Sequence, residues 1–184
     1  MEQLIMHWKN DGIKAKEPEI PKDIVLKTYY DIENAEYEWC EIVKYMEQDK
    51  PLEKTDSEEF FSRMMNPYPC FEQDKCFFLQ VNDTLAATIT IICDYEKAEG
   101  YVHMVACKPE FRGKGLGTLL NKIALFTLKT EGMKTAYLTT DDWRIPAIRS
   151  YLKAGFFADT KTHDDFKQRW DKIYKIIEEL EVQT

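Results

Sequence analysis

The stretch Val102-His103-Met104-Val105-Ala106-Cys107-Lys108-Pro109-Glu110-Phe111-Arg112-Gly113-Lys114-Gly115-Leu116-Gly117-Thr118-Leu119-Leu120 decides how the chain is read. It opens as a β-rich run, stops at Pro109, passes through a glycine-dense turn and enters an apolar-faced helix. Leu116, Leu119, Leu120, Ile123 and Ala124 recur at helical spacing, and Gly132 stands where a left-handed residue would end that helix. A turn of this kind aims successive backbone N–H groups into one concavity, and the helix N-terminus adds partial positive charge. A pyrophosphate fits such a place, with Arg112 and Lys114 adding charge at its rim. The GxxxxGK[ST] pattern of a nucleotide-triphosphate loop is absent. Glycines at 113, 115 and 117 do not match the GxGxxG dinucleotide fingerprint. A glycine-rich connection without any ligand is the plain alternative.

Upstream of this stretch, residues 76–81 and 85–94 form two apolar β-rich runs. Asn82-Asp83 between them predicts a hairpin, and a turn at 97–100 leads into a strand at 101–107. Downstream, residues 135–140 read as a strand. A short helix follows with Pro146 in its first turn and Gly155 just past its end, and Phe156 and Phe157 begin another extended piece. From about 164 to 180 the spacing of Phe166, Trp170, Ile173, Ile177 and Leu180 gives a single amphipathic stripe. That helix can cover its own sheet or meet a second copy of the chain as a homodimer.

Toward the N-terminus the signals thin out. Residues 4–8 are a short apolar run, followed by a polar segment with Gly12, Pro18 and Pro21 that reads as loop. Residues 24–30 have strand composition. Residues 35–47 place Trp39, Ile42, Val43 and Met46 on one helical face, and Pro51 breaks the chain. Asp56 or Ser57 caps a second short helix that ends before Asn66-Pro67. The order is helices, an antiparallel meander, then strand, glycine turn, helix, strand, helix. The fold class expected is mixed α/β: a mostly antiparallel sheet flanked by helices, with an extra C-terminal amphipathic helix.

A chain of 184 residues, 44% hydrophobic and 13% aromatic, is one ordinary domain with material for a full core. Its net charge of -8 argues against nucleic acid as a partner. No run is long and apolar enough to span a bilayer, and residues 1–10 lack the layout of a signal peptide. The five cysteines have irregular spacing, and His7, His103 and His163 are scattered, so no metal ligand set is expected. Reduced thiols in a cytoplasmic protein are the simplest reading.

The segment Arg112-Gly113-Lys114-Gly115-Leu116-Gly117, preceded by a strand that runs into Pro109, resembles the [RQ]xxGx[GA] signature of the GNAT superfamily of acyl-CoA-dependent N-acyltransferases. Ala147-Ile148-Arg149-Ser150-Tyr151-Leu152-Lys153-Ala154-Gly155-Phe156 resembles a second pattern of that family, Ala-x-x-x-Tyr-x-x-x-Gly-Phe. The two motifs lie in the family's order, separated by a helix and a strand. The resemblance covers about residues 76–157, an acetyl-CoA-binding core. Residues 1–75 would form a variable half on the acceptor side, within one domain spanning 1–184.

The resemblance implies direct transfer of acetyl from acetyl-CoA to a primary amine, on a small molecule or a peptide. It implies that strand 101–107 splays from strand 135–140 and that the pantetheine arm lies in the gap along Val105, Ala106 and Cys107. The backbone of Gly113, Lys114, Gly115, Leu116, Gly117 and Thr118 would hold the pyrophosphate, with Arg112 at its edge. A backbone N–H near Val105 would polarise the thioester, and Tyr151 would protonate the departing thiolate.

Three positions depart from the family pattern. Tyr101 stands where many members have a glutamate base. His103, two residues on and on the same strand face, is the catalytic candidate in its place, with Glu99, Asp141 and Asp142 behind it. Arg144 stands where many members have asparagine, and it could pair with a phosphate or face solvent. The usual last strand gives way to the long C-terminal helix. By strand alternation Cys107 faces the side of His103 and Val105, but no base is paired with it and a structural thiol is expected. A non-catalytic acyl-CoA sensor on the same fold, and a transferase acting on protein N-termini or lysines, are the alternative functions.

Overall fold

The computed structural model describes residues 2–46 and 56–182. Among them a seven-stranded sheet runs β2-β3-β4-β5-β6-β1-β7. The strands are β1 (Leu4–Lys9), β2 (Ile24–Thr28), β3 (Cys76–Val81), β4 (Thr84–Asp94), β5 (Glu99–Cys107), β6 (Thr135–Thr140) and β7 (Phe157–Ala158). Helices α1 (Ala35–Val43) and α2 (Ser57–Met65) precede β3, and α3 (Leu116–Thr130) joins β5 to β6. Helices α4 (Ile145–Lys153) and α5 (Phe166–Val182) flank β7. Every sheet pairing is antiparallel except β5 with β6. The mixed, mostly antiparallel architecture expected from the sequence is the one observed.

The β3–β4 hairpin closes through Asn82 and Asp83 at φ 47° and 62°. Positive φ at both central residues matches the twist of the flanking strands, and Asn and Asp tolerate it best after glycine. β4 is buried without a break from Ala86 to Cys93, because helices cover both of its faces. On one face lie α3, α4 and α5. Leu116, Leu120, Ile123, Ala124 and Leu128 of α3 join Ile148, Tyr151, Phe166, Trp170 and Ile173 in the larger core. A Cβ on Gly100 of β5 would stand 2.1 Å from Leu128 Cδ2, so any larger residue there would displace that buried side chain. The other face carries α1 and α2, whose Trp39, Ile42, Val43, Phe61 and Met65 pack over Phe78 and Ala106.

Several expectations change. Residues 4–8, read only as an apolar run, are β1, set between β6 and β7 with Leu4, Met6 and Trp8 buried. Strands therefore precede the helices instead of following them. The reason is that β1's partner lies some 130 residues away at Leu4↔Thr140, and a five-residue apolar run contains no record of so distant a neighbour. β5 starts at Glu99, so Gly100 belongs to the strand and not to the turn. The extended piece after Phe156 is the two-residue β7. α5 runs from Phe166 to Val182, and its stripe packs on the chain's own core up to Ile177, while Leu180 is 40% exposed. Asp56 caps α2 by accepting from the Glu59 N–H. Glu47, the expected end of the first helix, and Pro51 lie outside the described residues.

Candidate active site

The site begins where β5 and β6 part. They pair in parallel only at Glu99↔Thr135, Gly100↔Ala136 and Tyr101↔Tyr137. Beyond that point β5 stays with β4 to Cys107, and β6 stays with β1 to Thr140. Held by different neighbours, the two strands splay as expected. In the β4–β5 ladder Thr88 faces Ala106 while Thr90 faces His103, so Met104 and Val105 together oppose one residue of β4. Met104 takes φ 51°, a left-handed conformation that costs a non-glycine residue about 1–2 kcal/mol.

The bulge reverses the strand's alternation. Tyr101 and His103 face α2, and His103 Nε2 lies 3.1 Å from the Met64 carbonyl. After the extra residue, Met104 and Ala106 face α1 and α2 while Val105 and Cys107 pack toward α3. The expectation that Cys107 shares a side with His103 is therefore incorrect. It assumed unbroken period-2 alternation, which a bulge resets.

A cavity of about 920 Å³ opens from the splayed strands to the N-terminus of α3. Val105, Ala106 and Cys107 form its strand wall, and Gly113, Gly115, Leu116, Gly117 and Thr118 form one end. Arg144, Ala147 and Tyr151 of α4 and its approach form the opposite wall, with Tyr45 and Met46 beyond α1. Lys114 is exposed and stacks its ammonium over the Phe111 ring at 5.0 Å, outside this lining. His103 is also outside it. The structure thus brings most of the motif residues to one cavity and separates His103 and Lys114 from them.

Residues 115–118 explain the end of the cavity. Gly115, the N-cap of α3, has φ 82°, and no side chain caps the helix. A Cβ on Gly113 or Gly115 would meet nothing within 4 Å, so their positive φ, and not crowding, calls for glycine. The first-turn N–H groups of α3 have no acceptor within the helix, a geometry that suits an anion. Asn121 Nδ2 donates to Ser150 Oγ at 2.8 Å, which locks α4 against α3. Arg112 is exposed yet anchored. Its Nε donates to the Cys107 carbonyl at 3.3 Å and its Nη2 to the Tyr45 carbonyl at 3.0 Å, tying the end of α1 to the end of β5.

The electrostatics of the cavity are one-sided. Arg112, Arg144, Arg149 and Lys153 line it, and among the described residues no carboxylate does, in a chain of net charge -8. Arg144 pairs with Asp141 at 3.0 Å and lies over the Trp143 ring at 4.8 Å. Arg149 pairs with Glu181 at 3.5 Å. The Nε atoms of both arginines are buried and lack a hydrogen-bond partner among the described residues. An elongated polyanion fits this lining. Arg149 and Lys153 were not among the site residues read from the sequence, although both lie inside the second motif at positions that share a helix face.

Burial pushes the Tyr151 hydroxyl up to about 12, with Arg144 pulling weakly the other way, so it is protonated at neutral pH. Burial also pushes the Cys107 thiol up to about 11 against the pull of Arg112. That thiol is not an activated nucleophile. Burial lowers His103 to about 4, opposed by its bond to Met64. At neutral pH the ring is uncharged, and the Met64 carbonyl makes Nε2 the donor. Asp142 is held below the usual carboxylate range, chiefly by hydrogen bonds from Arg169, whose Nε donates to it at 3.0 Å. Asp141 accepts from Gln3 and pairs with Arg144. Among the described residues no group of three His, Cys, Asp or Glu side chains is arranged to hold a metal ion, and no helix is long and apolar enough to cross a membrane.

A splayed parallel pair, a bulge at its divergence and a helix N-terminus without a side-chain cap meet in one cleft. Residues 26–156 match the model of the acetyltransferase (GNAT) family, and the chain belongs to that family. A segment of 62 residues is 32% identical to a mycothiol acetyltransferase of Actinosynnema mirum, covering 34% of this chain and 21% of that protein. The fold is similar to a GCN5-related N-acetyltransferase from Sphaerobacter thermophilus. The TM-score is 0.65 and the identity 17%, over 86% of this chain and 50% of that one. It is also similar to the ribosomal-protein-S18-alanine N-acetyltransferase of Escherichia coli. There the TM-score is 0.56 and the identity 21%, over 74% and 79%. The chain thus spans a fifth of the curated relative and half of the first of these structures.

Proposed function

We propose that this acetyltransferase uses acetyl-CoA to acetylate a primary amine by direct attack. One observation carries the reading: a single cavity runs from the bulge at Met104 and Val105 to the uncapped N-terminus of α3, with Tyr151 in its wall. The glycine end suits a pyrophosphate, and Arg149 and Lys153 suit further phosphate charge. The unpaired β6-facing edge of β5 suits a pantetheine amide chain. Acetyl-CoA bound there would supply the activated acetyl thioester.

The chain's own groups then have simple tasks. The backbone N–H at Val105 donates to the carbonyl oxygen as the amine nitrogen adds to the carbonyl carbon and negative charge grows on oxygen. The Tyr151 hydroxyl gives its proton to sulfur as the carbon–sulfur bond breaks. The amine must be neutral to attack, and its ordinary pKa is about 10. His103, with its pKa near 4, is a weak acceptor for that proton, so its role in this reading is to hold the wall formed by Tyr68 and Tyr101. The proton leaves to solvent. All five cysteines are unpaired, in keeping with a reducing compartment such as the cytoplasm.

The test is calorimetric titration with acetyl-CoA of the wild type beside Gly115→Glu. Binding in the micromolar range should be lost in the variant, whose carboxylate would enter the phosphate end. A folded wild type that does not bind acetyl-CoA would overturn the proposal.

A further inference from the structure

A second cavity, of about 180 Å³, lies at the closed end of the β5–β6 pair. The large cavity touches β5 only after the strands have parted. Glu99 and Tyr101 of β5 are two residues apart and share a face, as do Thr135 and Tyr137 of β6 opposite them. The Tyr101 and Tyr137 rings stack with centroids 4.6 Å apart and planes 14° apart. Tyr68, from the segment after α2, brings its ring to 5.2 Å from Tyr101. Asp94 and Glu99 both line the cavity. Asp94 pairs with Lys97 at 2.8 Å, and Lys97 also lines the cavity and acts on Glu99 at longer range. Glu99 accepts from the Thr135 hydroxyl at 3.3 Å and has no ion-pair partner among the described residues.

Aromatic rings and two carboxylates against one lysine in one small cavity attract a cation, since ring faces carry partial negative charge and one carboxylate charge is left over. An ammonium held there is not the nitrogen that reacts. From Tyr101 to Val105 is three regular strand steps plus the bulged residue, about 10 Å along the strand, and the carbonyl-polarising N–H is at Val105. We propose that this cavity holds the distal ammonium of a di- or polycationic acceptor, whose second amine reaches the acetyl group at the bulge. This assignment rests on reading the large cavity as the acetyl-CoA cleft. It names the acceptor class: a flexible amine with two nitrogens separated by about 10 Å.

The test is calorimetric titration of the CoA-saturated protein with 1,7-diaminoheptane, n-heptylamine and 2-phenylethylamine. The diamine should bind at least about tenfold more tightly than heptylamine. Glu99→Gln should abolish that preference while leaving CoA affinity unchanged, which also shows that the variant is folded. Tyr68→Leu, which removes one ring and keeps the carboxylate, should weaken the diamine alone. Equal affinity for the diamine and heptylamine, preference for 2-phenylethylamine, a preference that survives in Glu99→Gln, or no amine binding would each overturn the assignment. The titrations of wild type and Gly115→Glu with acetyl-CoA judge the acetyl-CoA reading separately.

Discussion

Tyr151 lies in the wall of the large cavity, 7% exposed, with its ring edge toward Phe156 and its hydroxyl protonated up to about pH 12. Replacing it by phenylalanine keeps the ring and removes only the proton donor. The expected result is a kcat lower by about 100-fold or more, an acetyl-CoA Kd within about twofold of wild type, and little change in unfolding midpoint. Steady-state kinetics beside calorimetry would show it. An unchanged kcat would mean that the sulfur leaves without help from this hydroxyl. The tyrosine was readable from its motif because the spacing to Gly155 and Phe156 is local. The side faced by Cys107 was not, because the bulge that decides it arises from pairing with β4. Nothing in Met104 itself announces a left-handed backbone.

At the scale of elements, β1 joins the acetyltransferase core to the C-terminal region. It pairs with β6 over six residues and with β7 over two. A polar lock reinforces this edge. Asp159, just past β7, accepts from the Lys161 and Thr162 N–H groups at 2.8 and 2.9 Å and from the Thr162 hydroxyl at 2.6 Å, and it meets His7 of β1 at 2.9 Å. Burial would raise the Asp159 pKa, but the hydrogen bonds from Thr162, His7 and the backbone outweigh it and hold the carboxyl well below its ordinary value. A lowered folded-state pKa contributes stability that is full above the unfolded value of about 3.9 and is lost as pH falls through the folded value. Asp159→Asn should therefore cost about 2 kcal/mol at neutral pH. The gap to wild type should narrow as pH falls below about 4. Urea unfolding at pH 7 and pH 3 would measure both. A constant gap would assign the loss to packing instead of charge.

Across the whole molecule the charge is divided. The chain is acidic overall, yet the large cavity presents Arg112, Arg144, Arg149 and Lys153, with no carboxylate among the described residues that line it. Such a cavity focuses a polyanion against the general field of the protein. Acetyl-CoA affinity should therefore fall by roughly tenfold between 0.05 and 0.5 M salt. An affinity independent of salt would mean that backbone N–H groups alone hold the phosphates.

The sequence by itself determined the local grammar of this protein. The Asn82-Asp83 hairpin, a cap at Asp56 or Ser57, the glycine turn into α3 and the stripe of α5 each depend on residues within a few positions of one another. The family patterns at 112–117 and 147–156 are equally local. Only the tertiary structure decided that residues 4–9 enter the sheet, that the expected splay of β5 and β6 begins after Tyr101, and that Arg149 and Lys153 join the motif residues. It alone placed His103 on the α2 side and assembled Tyr68, Glu99, Tyr101 and Tyr137 into a second cavity. These features arise from contacts between segments distant in the chain. Their outcome depends on which strand edges remain unpaired and which faces remain uncovered once everything else has packed.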